Sequence, residues 1–219
     1  MSIKENLQSI KSTLPEHVSL VAVSKTKPVS DLMEAYNAGQ RIFGENKIQE
    51  MADKYEEMPE DIQWHMIGHV QRNKVKYMAE FVSLIHGVDS YKLLKEINKQ
   101  AKKYNRVIDC LLQIKIAEED SKFGMSVKDA TALLQSNEFS ELENIKIVGV
   151  MGMATFTDNM NQVENEFQYL KSCYENLKAL NSDLITISMG MSGDYQLAID
   201  CGSTMVRVGS SIFGARNYH

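Results

Sequence analysis

A lysine closes an apolar run near the start of the chain, in AVSKTKP from Ala22. Strand alternation puts Val21, Val23 and Lys25 on one face, and Leu20, Ala22 and Ser24 on the other. If the first set faces an apolar interior, burial disfavours the ammonium form. The result is a free amine able to attack an aldehyde. Lys27 has the same parity, but it precedes Pro28 and reads as loop. Taken alone, the commoner reading of Lys25 is a strand-end lysine reaching solvent, because lysine is rarely buried.

Two later segments have the features of an anion site. In SMGMSGDYQLAIDCG, from Ser188, a strand enters a Gly-rich turn and a helix follows. Ser192 is the expected N-cap, with Gly193 and Asp194 after it. Free N–H groups and partial positive charge at a helix start suit a phosphate. Asp194 equally reads as a simple partner for the helix dipole. In VRVGSSIFG, from Val206, the N–H groups around Gly209 and Ser210 are placed to form an anion nest. Arg207 either pairs with an acidic surface group or points inward at a ligand. An inward arginine needs a partner.

The elements that must position these residues read as alternating strands and helices. The strands are VSLVAVS from Val18, RIF from Arg41, QWHMI from Gln63, FVSLIH from Phe81 and VIDCLLQIKI from Val107. IKIVGVM from Ile145, LITIS from Leu184 and TMVRV from Thr204 complete eight. Helical periodicity is strongest at Leu93, Ile97, Ala101 and Tyr104, and at Val163, Phe167, Leu170, Tyr174 and Leu177. Such alternation implies parallel neighbours joined by crossovers. Eight strands suit a closed barrel, so the expected fold is α/β, a single parallel (β/α)8 TIM-type barrel. One domain is expected over residues 1–219, with no linker, repeat or low-complexity segment. The chain stops soon after strand eight, so no helix is expected there. Residues 1–15, with Ile3, Leu7, Ile10 and Leu14 on one stripe, would supply the eighth helix of the outer ring. In such barrels the site lies at the C-terminal strand ends, and the loops after strands seven and eight often hold phosphate. The candidates are therefore Ser24 and Lys25, residues 44–46, Gly68 and His69, residues 153–155, residues 188–192 and residues 207–211.

Composition narrows the function. The net charge is −5 with no run of Lys or Arg, which weighs against a nucleic-acid protein. Cys110, Cys173 and Cys201 are widely spaced and make no Cys-x-x-Cys pair, as expected of free thiols in the cytoplasm. The N-terminus lacks the apolar block of a signal peptide, and no stretch approaches a membrane span. His65 and His69 are four apart, but on a strand and loop that spacing does not gather metal ligands. KYEEMPED, from Lys54, reads as a solvated acidic stretch.

Taken in order, the strand-one lysine, the FGEN turn, WHMIGHVQRNK, SKFGM, SMGMSGD and VRVGSSIFG run from about Val21 to Arg216. This set resembles the pyridoxal phosphate homeostasis proteins, the YggS/PROSC-type group, whose fold is similar to the barrel domain of alanine racemase. The resemblance implies pyridoxal 5'-phosphate (PLP) held as a Schiff base on Lys25. It implies a phosphate held by Ser192, Gly209 and Ser210, with Ser210 standing where many members have Thr. It further implies Arg207 facing the pyridine nitrogen and Asn46 near the cofactor. An arginine there stays charged, so the ring nitrogen remains an acceptor and the ring a weaker electron sink.

The expected function is PLP homeostasis by a non-catalytic binding protein. PLP-requiring apo-enzymes are the expected recipients and a monomer the expected state. The alternative is an amino-acid racemase, which needs a second acid/base opposite the lysine and a β domain to supply it. The chain ends soon after Gly214, which leaves no room for that domain; Tyr195 or a loop residue stays open as the base. A Schiff-base aldolase would explain Lys25 and the phosphate loops but not the whole motif set.

Overall fold

A computed structural model describes residues 2–118 and 123–215. Ser121 and Lys122 of SKFGM, and Arg216, lie outside the described residues. The eight strands are β1 (Ser19–Val23), β2 (Ile42–Glu45), β3 (Gln63–Met66), β4 (Leu84–Val88), β5 (Ile108–Gln113), β6 (Ile145–Met151), β7 (Thr186–Ser188) and β8 (Met205–Val208). All pair in parallel, each with the next, and β8 pairs with β1 to close the barrel. The architecture is the expected (β/α)8 barrel.

The helices form the outer layer. They are α1 (Ile3–Thr13), α2 (Val29–Asn37), α3 (Ile48–Glu57), α4 (Tyr91–Lys103), α5 (Val127–Leu134), α6 (Asn137–Ser140), α7 (Met160–Lys178), α8 (Tyr195–Asp200) and α9 (Ser210–Phe213). A 3-10 helix, Arg72–Tyr77, replaces an α-helix between β3 and β4. Val75 is its buried residue, and its C-cap Met78, three residues on and one turn further in a 3-10 helix, is buried beside it. α1 carries a capping box between Ser2 and Glu5 and buries Leu7 and Ile10. It packs on α2 and α9.

Three sequence expectations are corrected. A one-turn helix, α9, does follow β8, because Gly209 C=O accepts the N–H groups of Ile212 and Phe213. β4 starts at Leu84 rather than Phe81. Phe81 lies in the preceding turn, where its ring stacks on Tyr55 at 4.1 Å. Tyr104 leaves the α4 stripe and is exposed, because the helix ends at Lys103 and Tyr104 is its C-cap. The α7 stripe of Val163, Phe167, Leu170, Tyr174 and Leu177 is buried throughout.

Strand alternation sorts the core into two layers. Leu20, Ala22, Phe43, Trp64, Ile85, Val206 and Val208 face the helices. Val21, Ile67, Leu84, Leu111, Val148, Met151 and Met205 fill the barrel interior, with Val23 beside them. Lys25 therefore continues the inward set.

At Gly149 the β5–β6 register shifts, and Leu111 is its partner. A Cβ at Gly149 would run into the Thr186 carbonyl on β7. Gly149→Ala is expected to destabilise the barrel by about 1–3 kcal/mol through overpacking, read as a lower denaturation midpoint at unchanged slope.

Candidate functional site

A cavity of about 650 Å³ opens at the C-terminal ends of the strands. Lys25, Asn46, Ser192, Arg207, Gly209 and Ser210 all line it. So do Gly68, His69, residues 153–155 and Lys27. Ser24, residues 44–45, residues 188–190 and Ser211 do not. Tyr195 also lies outside the lining; its ring packs partly buried against the outer core.

Lys25 sits between two residues that are held from outside the barrel. Ser24 Oγ donates to Glu45 Oε1 at 2.6 Å. Lys54 Nζ donates to Ser24 O at 2.9 Å, to Glu45 Oε1 at 2.7 Å and to Glu50 Oε1 at 2.8 Å. The Thr26 N–H donates to Glu50 Oε1. Thr26 has φ +64°, a left-handed conformation that a β-branched residue adopts only against a steric cost of about 1–3 kcal/mol. KYEEMPED is thus not solvated at its first residue: Lys54 is buried, because α3 turns it inward onto Glu45. Burial pushes the Glu45 carboxyl above its ordinary range, against the pull of Lys54. Lys27 points elsewhere, donating to Phe213 O at 2.8 Å and Ala215 O at 3.2 Å.

Ser192 is not the N-cap of α8. Asp194 occupies that position and accepts the Met191 N–H. Ser192 instead reaches the next loop, where its Oγ accepts the Gly209 N–H at 3.2 Å and the Ser211 N–H at 3.5 Å. The loops after β7 and β8 are thereby joined around one patch of hydroxyl and backbone N–H groups. Across the cavity mouth, after β3, Gly68 is required for close approach to the loop after β2, since a Cβ would strike the Asn46 backbone.

Arg207 takes its inward reading. It is buried, with Nη1 donating to Ser188 Oγ at 2.6 Å and Nη2 to Gly152 O at 3.1 Å. Burial lowers its pKa to about 10, with Asp194 pulling the other way, so it is charged at neutral pH. Ser188 continues into a polar chain across the interior. His86 Nδ1 lies 2.9 Å from Ser188 Oγ, and His86 Nε2 lies 3.0 Å from His65 Nδ1. Burial pushes His65 down to about 3. It also takes His86 well below its ordinary value, with His65 and Arg207 adding to the effect. Both imidazoles are neutral at pH 7, so each can donate at one nitrogen and accept at the other.

The rim is built from the loops after β5 and β6. Gln113 Nε2 donates to Phe123 O at 3.1 Å, and the Phe123 ring stacks on His69 at 4.1 Å. Thr155 is held by Glu166, which accepts both its N–H and its hydroxyl at 2.6 Å.

Sequence reasoning missed Glu50, Lys54 and His86 and set His65 aside as a metal ligand, whereas Glu45 and Ser188 stood among its strand-end candidates. One signal was present: Glu50 and Lys54 stand at helical i,i+4 spacing. The contact of His65 with His86 joins two strands and leaves no mark in either segment.

Comparison with known proteins agrees with the barrel fold. The family model for the alanine racemase N-terminal domain matches residues 1–217. The pyridoxal phosphate homeostasis protein of Pasteurella multocida is 38% identical, covering all of this chain and 99% of that one. Its Escherichia coli K12 counterpart is 38% identical over 93% of this chain and 88% of its own. This chain belongs to the pyridoxal phosphate homeostasis protein family. Within solved structures, PipY of Synechococcus elongatus PCC7942 with PLP bound superposes with a TM-score of 0.89 at 35% identity, covering 97% of this chain and all of that one. Alanine racemase of Clostridium difficile 630 shares the barrel fold, with a TM-score of 0.78 at 15% identity. This chain covers 99% of its own length in that match and 60% of the racemase.

The neutral histidines set a pH dependence. An unfolded histidine takes up a proton near pH 6.5, whereas buried His65 resists until about pH 3. Stability is therefore full above pH 6.5 and falls as pH drops toward 3. From pH 7.5 to pH 5 the loss due to His65 is expected to be about 2 kcal/mol. Urea titrations at the two pH values check this, and His65→Phe should show a smaller difference between them.

Proposed function

We propose that this protein binds pyridoxal 5'-phosphate as a Schiff base on Lys25 and holds it for supply to PLP-requiring apo-enzymes, with no turnover of its own. The observation that carries this reading is the single cavity lined by Lys25, Arg207 and the loops after β7 and β8. Membership of the family and the PLP-bound PipY structure support it. The bound group would supply an aldehyde carbon as electrophile.

The chain's own residues account for the rest. The Lys25 amine would add to that carbon with loss of water. Ser192, Gly209 and Ser210 would hold the phosphate through the two hydroxyls and the Ser210 N–H, with the Gly209 N–H fixing the Ser192 hydroxyl; hydrogen bonds to an anion are short and strong. Arg207 would present a fixed, charged donor to the ring nitrogen and so disfavour its protonation. Its orientation is set by Ser188 Oγ and Gly152 O. Asn46 lies at the same wall as Lys25. We take residues 1–219 as one cofactor-binding domain that acts as a monomer in the cytoplasm. The three cysteines are free and buried, as suits a reducing compartment. No helix among the described residues is long and apolar enough to cross a membrane.

The racemase fold favours one second reading, an amino-acid racemase. That reaction needs an acid/base facing the lysine. Among the described residues lining the cavity there is no Tyr or Cys. Full-length agreement with the homeostasis proteins also favours the carrier.

Incubation with PLP should turn the protein yellow, and borohydride should fix the group to the Lys25 peptide. An unchanged chromophore in Lys25→Ala would overturn the assignment. Racemisation of alanine or serine at about 1 per second or faster would overturn the carrier reading.

A further inference from the structure

Lys54 is a buried amine within reach of the Lys25 segment, and every N–H of its ammonium is engaged. The acceptors are Ser24 O, Glu45 Oε1 and Glu50 Oε1. Two of these groups also hold the residues flanking Lys25. Glu45 accepts the Ser24 hydroxyl, and Glu50 accepts the Thr26 N–H. Glu45 Oε2 has no hydrogen-bond partner among the described residues, so the carboxylate relies on the contacts of its other oxygen. Buried charges in such an arrangement add little net stability, but losing one partner is costly. The arrangement instead fixes geometry. Ser24 faces the helices and Thr26 is held at φ +64°, so the intervening residue projects into the cavity.

We propose that Lys54, Glu45 and Glu50 form a clamp on the outer wall that aims Lys25 at the cofactor aldehyde. These are positioning residues: among them, none lines the cavity. The clamp also selects the amine. Lys27 lines the same cavity two residues on, but its ammonium is drawn to the carbonyls of Phe213 and Ala215. With Thr26 held in the left-handed conformation, Lys25 meets the aldehyde and Lys27 meets the end of α9. The inference rests on the proposed Schiff base at Lys25. The step it governs is addition of the Lys25 amine to the aldehyde carbon, followed by loss of water to leave the C=N bond.

Glu50 is partly exposed, so its replacement leaves the fold least disturbed. Glu50→Ala removes the acceptor for Thr26, whereas Glu50→Gln keeps an oxygen there and removes only the charge. The measurement is the rate of PLP adduct formation by absorbance, with borohydride trapping and peptide mapping to assign the lysine. Glu50→Ala is expected to slow adduct formation at Lys25 by about tenfold to a hundredfold, the usual effect of a small misplacement. Trapped label should spread to Lys27, and Glu50→Gln should restore both rate and site. Lys54→Met combined with Glu45→Gln removes both buried charges together and should show the same loss. Normal rate and site in both Glu50→Ala and this double variant would overturn the clamp. An equal loss in Glu50→Gln and Glu50→Ala would overturn the Thr26 hydrogen bond as its cause. Absence of label from Lys25 in the unsubstituted protein would overturn the Schiff-base reading itself, and the clamp with it.

Discussion

The pairing of β1 with β8 closes the sheet, and the arrangement of the site follows from it. In that pairing Val21 lies opposite Arg207 and Ala22 opposite Val208. Both Val21 and Arg207 face inward, because a closed barrel leaves each strand one interior face. A lysine at the end of the first strand and an arginine in the last are thereby brought to one cavity. The same closure brings the loop after β8 alongside the loop after β7, where Ser192 bridges them. An open sheet with the same strands would leave these groups at opposite edges.

The two faces of the barrel wall do different work at the top of β1. Outside, the ammonium of Lys54 gathers two carboxylates and a backbone carbonyl. Inside, Lys25 faces the cavity. Alternation of side chains along a strand makes this division possible, since neighbours in sequence point to opposite faces. The polar groups that fix the backbone therefore take no space from the ligand. The cost is a left-handed threonine, whose N–H donates to Glu50 on a neighbouring helix.

Arg207 poses the opposite problem, a charge placed inside the barrel. Among the described residues its guanidinium donates to a hydroxyl and a carbonyl and makes no carboxylate ion pair. Ser188 passes the contact on to His86 and then to His65. Because burial holds both imidazoles neutral, the chain adds donors and acceptors without adding charge. That leaves the arginine's charge available to the cavity it lines.

The sequence by itself determined the barrel, because its evidence is periodic and local. Eight apolar runs, two clear helical stripes and the parity of Val21, Val23 and Lys25 all read directly from spacing. The motif set pointed to Lys25, Arg207 and the loops after β7 and β8, which the fold brings to one cavity. Only the tertiary structure decided how those residues are held. Lys54 opens a run of acidic residues that reads as solvated, and it is buried because α3 packs it over Glu45. Ser192 stands where a helix cap is expected, yet it serves the loop after β8 instead. His65 and His86 touch across neighbouring strands. These contacts join residues from different elements, and local periodicity carries no information about which distant group a side chain will meet.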